Sequence, residues 1–333
     1  MRIGKSVLLL VILVILMTGS TSVVGDIDVS EAPTRTMQNI AQATTDLSGV
    51  NVGVFDIGYH DPRVNESRTA ILSMLEWMNA TVWSFNKTDI VNGSLFACEV
   101  FVIPEGLGPN IEWALKDEGL QAIREWIAAG GSYIGVRGSA AMAVKDSYFE
   151  GRWTEFDFAV INGTSYEVTD LSDFVMTNVS INRDCTGPDL SEMPANLSVY
   201  FRTGRYILPH EGQELIYIAN YTHNNLPAMV ASFYGEGNVF ISSPHFEFEE
   251  NSDRDGTDEF DDFDDPDSEW PFILEITKWM IESSPTVQNL TEWPIVPQTT
   301  YPTYPSIPME VFIVGGGLGV VVVAAIVVFI RKK

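Results

Sequence analysis

The sequence has little positive charge: 19 lysines and arginines stand against 45 aspartates and glutamates, which gives a formal net charge of -26. A chain with this charge is repelled by nucleic-acid phosphates and by anionic lipid headgroups. Nucleic acid is therefore excluded as a partner. The same balance is easier to reconcile with an environment rich in salt or divalent cations, such as the outside of a cell.

Cysteine is nearly absent as well. Cys98 and Cys185 are the two cysteines of the chain, so it can form at most one internal disulfide. An oxidising compartment would permit that bond, but spacing in the sequence does not show that the two thiols lie close in space. One disulfide and two separate buried thiols both remain compatible with the sequence.

Long apolar runs are missing from the body of the chain and occur only towards its two ends. Residues 1–25 combine a basic start, a short apolar stretch and small residues, which predicts a secretory signal peptide, with an uncleaved anchor as the alternative. Residues 311–330 contain no charge, and 20 helical residues span about 30 Å, the thickness of the hydrocarbon core. We therefore predict a transmembrane helix at 309–330 and a cytoplasmic basic tail at 331–333.

These ends define the expected organisation of the chain. A polar lead-in at 26–49 precedes a single domain at 50–284, and a stiff Pro/Thr-rich stalk follows at 285–308. The expected location is the cell membrane, with one pass through the bilayer and the N-terminal domain outside. Nine N-x-[ST] sequons agree with this topology and are candidate glycosylation sites: Asn65, Asn79, Asn86, Asn92, Asn162, Asn178, Asn196, Asn220 and Asn289.

Alternating segments within 50–284 predict an α/β domain. Short β-branched runs such as "VNVGVFDI", "CEVFVIP" and "SYIGV" alternate with amphipathic helical patterns at 67–79 and 110–129. Strands that are linked through helices build a doubly wound, mostly parallel sheet. The second half is richer in strands, with "LSVYFRT", "ELIYIANY", "LPAMVASF" and "GNVFISS", and an amphipathic helix closes the domain.

Two segments, "GGSYIGVRGSA" and "YGEGNVFISSPHFE", resemble the N-terminal domain of biotin–protein ligases, a branch of the class I glutamine amidotransferase-like superfamily with a flavodoxin-like fold. The resemblance covers most of the domain, from Val52 to about Glu249. It implies a nucleophilic cysteine at the turn after a central strand, with a histidine and a glutamate after the last strand. Carried over onto this sequence, the histidine is His245, the glutamate is Glu247, and Arg137 stands at the cysteine position.

Arg137 removes the nucleophile, because a guanidinium is never deprotonated enough to attack a carbonyl. Ser139 lies two residues past the tip, inside the following helix, and should point away from His245. We therefore expect a degenerate site, with Arg137 and Glu247 either binding an anionic or carboxylate ligand or forming a salt bridge with each other. The residues expected to line it are Gly106, Arg137, Gly138, Ser139, His245 and Glu247.

Three functions follow from this pattern. The first is a non-catalytic module that binds an unknown extracellular ligand or protein. The second is a hydrolase or amidase that uses His245 and Glu247 with a water or a metal, and the third is a purely structural surface protein. Biotin ligation is excluded, because the chain has no Gly/Arg-rich adenylate loop.

The segment "EFEENSDRDGTDEFDDFDDPDSE", residues 247–269, begins two residues after His245 and is predicted to form an acidic loop. Part of it has the spacing of a calcium loop, D-x-[DN]-x-[DN]-G, with oxygen ligands two residues apart and a further carboxylate at the twelfth position. A mobile, solvated loop is the alternative interpretation. No cofactor is established by the sequence, but Ca²⁺ is a candidate. Its expected ligands are Asn251, Asp253, Asp255, Thr257, Glu259 and Asp262.

Overall fold

The computed structural model describes residues 46–58, 62–249, 252–265 and 267–284. The predicted signal peptide, most of the lead-in, the stalk, the transmembrane helix, the basic tail, Asn251 and Asn289 lie outside these residues. No helix in the described ranges combines the length and the apolar character needed to cross a bilayer.

The strands are β1 (Asn51–Phe55), β2 (Thr81–Phe85), β3 (Val100–Ile103), β4 (Ser132–Val136), β5 (Val144–Phe149), β6 (Arg152–Glu155), β7 (Ile161–Glu167), β8 (Val175–Ile181), β9 (Asn196–Phe201), β10 (Arg205–Pro209), β11 (Ile216–Tyr221), β12 (Pro227–Tyr234) and β13 (Gly237–Ser242). The helices are α1 (Pro62–Trp77), α2 (Lys87–Val91), α3 (Gly108–Ala128), α4 (Gly138–Ala143) and α5 (Trp270–Ser283).

The main sheet has nine strands in the order β2-β1-β3-β4-β13-β12-β11-β8-β9. Its first five strands are parallel, as predicted. The remaining four join antiparallel, so the sheet is mixed rather than mostly parallel. The physical reason is connection length: β11, β12 and β13 follow one another through short turns, and such turns permit only antiparallel pairing.

Apolar residues cover both faces of the main sheet. On one face, Ile71 of α1 and Phe272 of α5 belong to a single buried cluster with β1, β3 and β11. On the other face, Ile123 and Trp126 of α3 pack with α4 and with a second, four-stranded sheet ordered β10-β7-β5-β6. This arrangement holds β3, β4 and β13 rigidly side by side, so the loops at their carboxyl ends meet.

Both cysteines are free thiols. Cys98 is buried in the cluster with α3, whereas Cys185 packs against the cluster on the other face. Of the two possibilities that the sequence leaves open, the structure has the separate thiols. Burial, the larger cause, and the charge of Glu99 raise the pKa of Cys98 to about 12.

Candidate functional site

Arg137 occupies a sharp turn between β4 and α4. Its backbone has φ 55° and ψ -104°, a conformation that an L-residue adopts only where its surroundings enforce it. The turn is held from both sides, because the Arg137 N–H donates to the Ser242 carbonyl at 2.8 Å and its own carbonyl accepts from the Ala141 N–H at 2.9 Å. The turn has the strand-to-helix placement of a nucleophile elbow, with a guanidinium at its tip.

Gly138 makes the turn possible. A Cβ on this residue would lie 1.5 Å from the Gly106 carbonyl oxygen, so only glycine lets the β3 loop approach the elbow. The two glycines that the sequence assigned to the site thus lie against each other. Because neither residue has a side chain, the backbones of the two loops can pack in direct contact.

The acidic partner of Arg137 is Glu105 rather than Glu247. One guanidinium nitrogen of Arg137 forms an ion pair with the Glu105 carboxylate, and its Nε donates to the Arg202 carbonyl at 2.6 Å. A second guanidinium, that of Arg202, lies 4.0 Å from the same Glu105 oxygen. Burial lowers the pKa of Arg137, while the charge of Glu105 opposes this effect. The elbow side chain is therefore fixed by an internal ion pair.

Glu247 instead orients His245. The imidazole Nδ1 lies 2.9 Å from the Glu247 Oε1, and the Ser67 hydroxyl donates to the same oxygen at 2.6 Å. The Phe246 N–H donates to the other carboxylate oxygen at 3.0 Å. Burial alone would raise the pKa of Glu247, but the His245 charge and these hydrogen bonds outweigh it and hold the pKa below its ordinary value. The pair has the arrangement of a histidine and its orienting carboxylate.

The outer nitrogen of the imidazole has no hydroxyl or thiol hydrogen-bonded to it among the described residues. His245 Nε2 is buried, lies 3.6 Å from Glu105 Oε2, and makes no hydrogen bond within the described residues. Ser139 does not approach it, because the Ser139 hydroxyl accepts from the Val136 N–H and donates to the Ile103 carbonyl, each at 2.7 Å. That hydroxyl belongs to the framework of the turn.

Aromatic rings cover the imidazole. Tyr200 and Phe248 have ring centroids 5.4 and 5.2 Å from that of His245, and Phe260 of the acidic loop stacks on Tyr200 at 3.5 Å. His245 is consequently only 1% exposed. The described part of the acidic loop therefore contacts the site through an aromatic ring that stands among its carboxylates.

An open cavity of about 600 Å³ lies beside this cover, between the start of α1 and the acidic loop. Burial, followed by a hydrogen bond and charge repulsion from Glu259, raises the pKa of Glu66 in its wall to about 7. The cavity lining consists of Pro62, Asn65, Glu66, Thr69, Gly256, Thr257, Asp258 and Glu259.

The carboxyl pair of Glu66 and Glu259 predicts a dependence of stability on pH. The folded-state pKa of Glu66, about 7, lies above its ordinary value of 4.5, so the stability that this proton supplies is present below pH 4.5 and is lost as the pH rises through 7. Glu66→Gln mimics the protonated form and should be more stable than the wild type at pH 8 but not at pH 4.5. Urea unfolding at both pH values measures this, with Glu76→Gln on the same helix as control. An equal difference at both pH values would contradict the pairing.

The acidic loop brings together a different set of carboxylates from the one expected. Oxygens of Asp253, Asp258 and Asp261 lie within 4.8 Å of one another. Asp255 is buried and accepts from the N–H groups of Glu249 and Thr257, at 3.1 and 2.9 Å. The expected carboxylate ligands Asp255, Glu259 and Asp262 are not in the group of three, and calcium binding, with Thr257 as a further ligand, stays a prediction.

The asparagines of the eight described sequons are exposed with one exception. The Asn220 side chain is half-buried, whereas the other seven described asparagines are exposed. Asn86 caps α2 through its side-chain oxygen, which leaves its amide nitrogen outside the cap. Asn79 instead donates from that nitrogen to Asp46 and Ser48, at 3.2 and 2.6 Å. Glycosylation stays a prediction at all of them.

No protein-family model matches this chain, and neither does any curated protein sequence. Solved structures of similar fold include a glutamine amidotransferase, with 15% identity, a TM-score of 0.45, and coverage of 59% of this chain and 90% of the other. A glutamine amidotransferase from Thermotoga maritima has 12% identity and a TM-score of 0.45, covering 70% and 95%. A putative ThuA-like protein from Bacteroides uniformis has 10% identity and a TM-score of 0.48, covering 73% and 96%. At this level of likeness the neighbours carry no information about function.

Proposed function

We propose that this chain is an amidotransferase-like domain without covalent catalysis, anchored outside the cell, that binds a ligand or a protein partner. The observation that carries the proposal is the elbow side chain. Arg137 stands where a nucleophile would be needed, and its charge is already satisfied by Glu105. A guanidinium cannot form an acyl intermediate. The turn therefore has the shape of a nucleophile elbow but cannot carry out covalent catalysis. The relation to biotin–protein ligase domains and the membrane anchor are parts of this proposal.

The open cavity is the better candidate for ligand binding than the elbow. Arg137 and His245 are covered, while Glu66 and Glu259 line an open space of about 600 Å³. Cavities of this size suit small molecules or single side chains of a partner. A carboxyl pair that holds a proton near neutral pH favours ligands that donate hydrogen bonds or carry positive charge.

A second candidate function is hydrolysis by the pair of His245 and Glu247. The specific observation in its favour is the 2.9 Å contact between them, together with an outer imidazole nitrogen that has no hydrogen bond within the described residues. A water admitted beside that nitrogen would be activated by general-base catalysis. The aromatic cover would first have to open, which makes this the less favoured function.

A substrate screen separates the two functions. The purified chain and its His245→Ala variant are incubated with glutamine, simple amides and esters, and the release of ammonia, acid or alcohol is measured. The expected result is no turnover above the buffer rate for either protein. The matched control is His210→Ala, since His210 follows β10 of the small sheet and bonds to Thr164 and Asn162 rather than to His245 or Glu247. Turnover that His245→Ala abolishes and His210→Ala retains would establish the hydrolase and overturn the binding module.

A further inference from the structure

A row of four aromatic side chains crosses the small sheet. Trp153 of β6 pairs with Tyr148 of β5, Tyr148 pairs with Tyr166 of β7, and Tyr166 pairs with Tyr206 of β10. Each strand of the sheet thus contributes one ring at the same register. The ring centroids along the row are 5.1, 6.4 and 5.4 Å apart, and the last two rings are stacked.

The row faces outward. Side chains alternate between the two faces of a strand, and the residues next to the rings, such as Ser147, Ser165 and Ile207, are buried against the core. Trp153 is 63% exposed and Tyr148 is 36% exposed, whereas Tyr166 and Tyr206 are half-buried and Tyr206 packs against a core cluster. Cross-strand packing accounts for contacts between the rings, but it does not require a tryptophan to remain so open to solvent.

A polar row runs beside the aromatic one, two residues further along the strands. Asp146 lies opposite Glu155 on one side and Thr164 on the other. His210 extends this row, with its Nε2 at 2.8 Å from the Thr164 hydroxyl and 3.7 Å from an Asp146 oxygen. Carboxylate, hydroxyl and imidazole groups therefore lie beside the rings of β5, β6 and β7, whereas the residue at this register on β10 is the exposed Leu208.

The negative charge of this face favours some of the ligands that stack on aromatic rings over others. Nucleobases stack well, but their phosphates require a basic track. Here Asp146 and Glu155 border the row, and Arg205 is turned inward onto the Ser147 hydroxyl. A neutral ligand with a flat apolar face and many hydroxyl groups fits both rows. Pyranose rings have these properties, since their C–H faces pack on aromatic rings and their hydroxyls bond to carboxylates.

We propose that this face of the small sheet, made of Trp153, Tyr148, Tyr166, Tyr206 and the adjacent polar row, binds a neutral oligosaccharide. The rings supply the stacking platform, and Asp146, Glu155 and His210 supply the hydrogen bonds. The site is separate from the elbow and from the open cavity. Four rings in line fit an extended chain of several sugar units better than a single monosaccharide.

The test is binding of the purified full-length chain to an array of neutral hexose and N-acetylhexosamine oligomers, followed by calorimetric titration with the best ligand. Trp153→Ala and Tyr166→Ala should each weaken binding about tenfold or more, as truncation of a central aromatic contact does. Trp153→Phe should retain binding within a few-fold. Trp113→Ala is the matched control, because Trp113 is 71% exposed on α3, and it should leave binding unchanged.

Three results would overturn the proposal. They are the absence of binding by the wild type across the array, equal affinities for Trp153→Ala and Trp113→Ala, and tighter binding of oligonucleotides or proline-rich peptides than of oligosaccharides. Asn162 is a sequon residue near the polar row and contacts His210 at 3.1 Å. Asn162→Gln therefore accompanies the series, and loss of binding in this variant together with undiminished binding by Trp153→Ala would also overturn the proposal.

Discussion

Replacing Glu105 by glutamine lowers the free energy of unfolding by about 3 to 5 kcal/mol, the range for breaking a buried ion pair by removing one partner. Glu105 is 4% exposed and is the one carboxylate paired with Arg137 among the described residues, with Arg202 next to it. Without it, the largely buried guanidinium groups of Arg137 and Arg202 repel each other, and Arg137 has no other carboxylate in ion-pair distance among the described residues. Urea unfolding at neutral pH, followed by tryptophan fluorescence, measures the loss.

A surface ion pair provides the control. Lys87 and Glu118 lie 2.6 Å apart, but their side chains are 34% and 54% exposed. Pairs of this kind contribute about 0 to 1 kcal/mol, so Glu118→Gln should be nearly neutral. If Glu105→Gln were no more destabilising than Glu118→Gln, the elbow arginine would not depend on its buried partner.

Gly138→Ala should destabilise the domain by about 3 kcal/mol or more, or prevent folding. The added Cβ would stand 1.5 Å from the Gly106 carbonyl oxygen, an atom of the backbone that no rotamer change can move. The loop after β3 and the elbow would have to separate, which would also pull Glu105 away from Arg137. Effects of this size come from a short list of mechanisms, of which steric overlap in a packed region is one.

The matched control for this change is Gly212→Ala. Gly212 lies in a turn with φ 84°, and a Cβ there meets nothing within 4 Å. Only backbone strain opposes the substitution, and it amounts to about 1 kcal/mol. Thermal and urea unfolding of both variants measure the difference. A Gly138→Ala protein as stable as Gly212→Ala would mean that the two loops do not approach as closely as described.

The sequence pattern and the family resemblance were sufficient to bring Arg137, His245 and Glu247 to one place, but they made Glu247 the partner of Arg137 rather than of His245. A buried strand ending in Arg137-Gly138 and a last strand followed by "SPHFE" place these residues at the carboxyl edge of one sheet. The same reasoning could have placed Glu105 in the site, because it lies two residues after the end of β3, and β3 is the other neighbour of β4. A single acidic residue in a loop is common, however, and only coordinates show that it reaches Arg137.

Other parts of the site have weaker signals. Ser67 lies on α1, 180 residues away from its partner Glu247, and its pattern is that of an ordinary helical serine. Phe260 stands among carboxylates, so the loop resembles a solvated tail until its ring is seen on Tyr200. The calcium-loop spacing of the same segment does not foresee that Asp255 turns inward. These features depend on tertiary packing, which cannot be predicted from the local periodicity of the sequence.

The small sheet was also not foreseen. β5 and β6 are short, carry charged residues and have no long apolar run, because β5 is buried on one face only and all four residues of β6 are exposed. Parallel pairing of β5 with β7 further depends on contacts that are distant in sequence. Strands of the buried main sheet, such as β12 and β13, have the apolar runs that sequence patterns detect reliably.

The most direct test of the central claim is a double-mutant cycle between Arg137 and Glu105. Unfolding free energies are measured for the wild type, Arg137→Met, Glu105→Gln and the double variant. We expect the double variant to be more stable than Glu105→Gln alone, with a coupling energy of about 2 kcal/mol or more, since both charges then leave together. A coupling energy near zero would show that the guanidinium at the elbow is not held by Glu105 and is available for another partner.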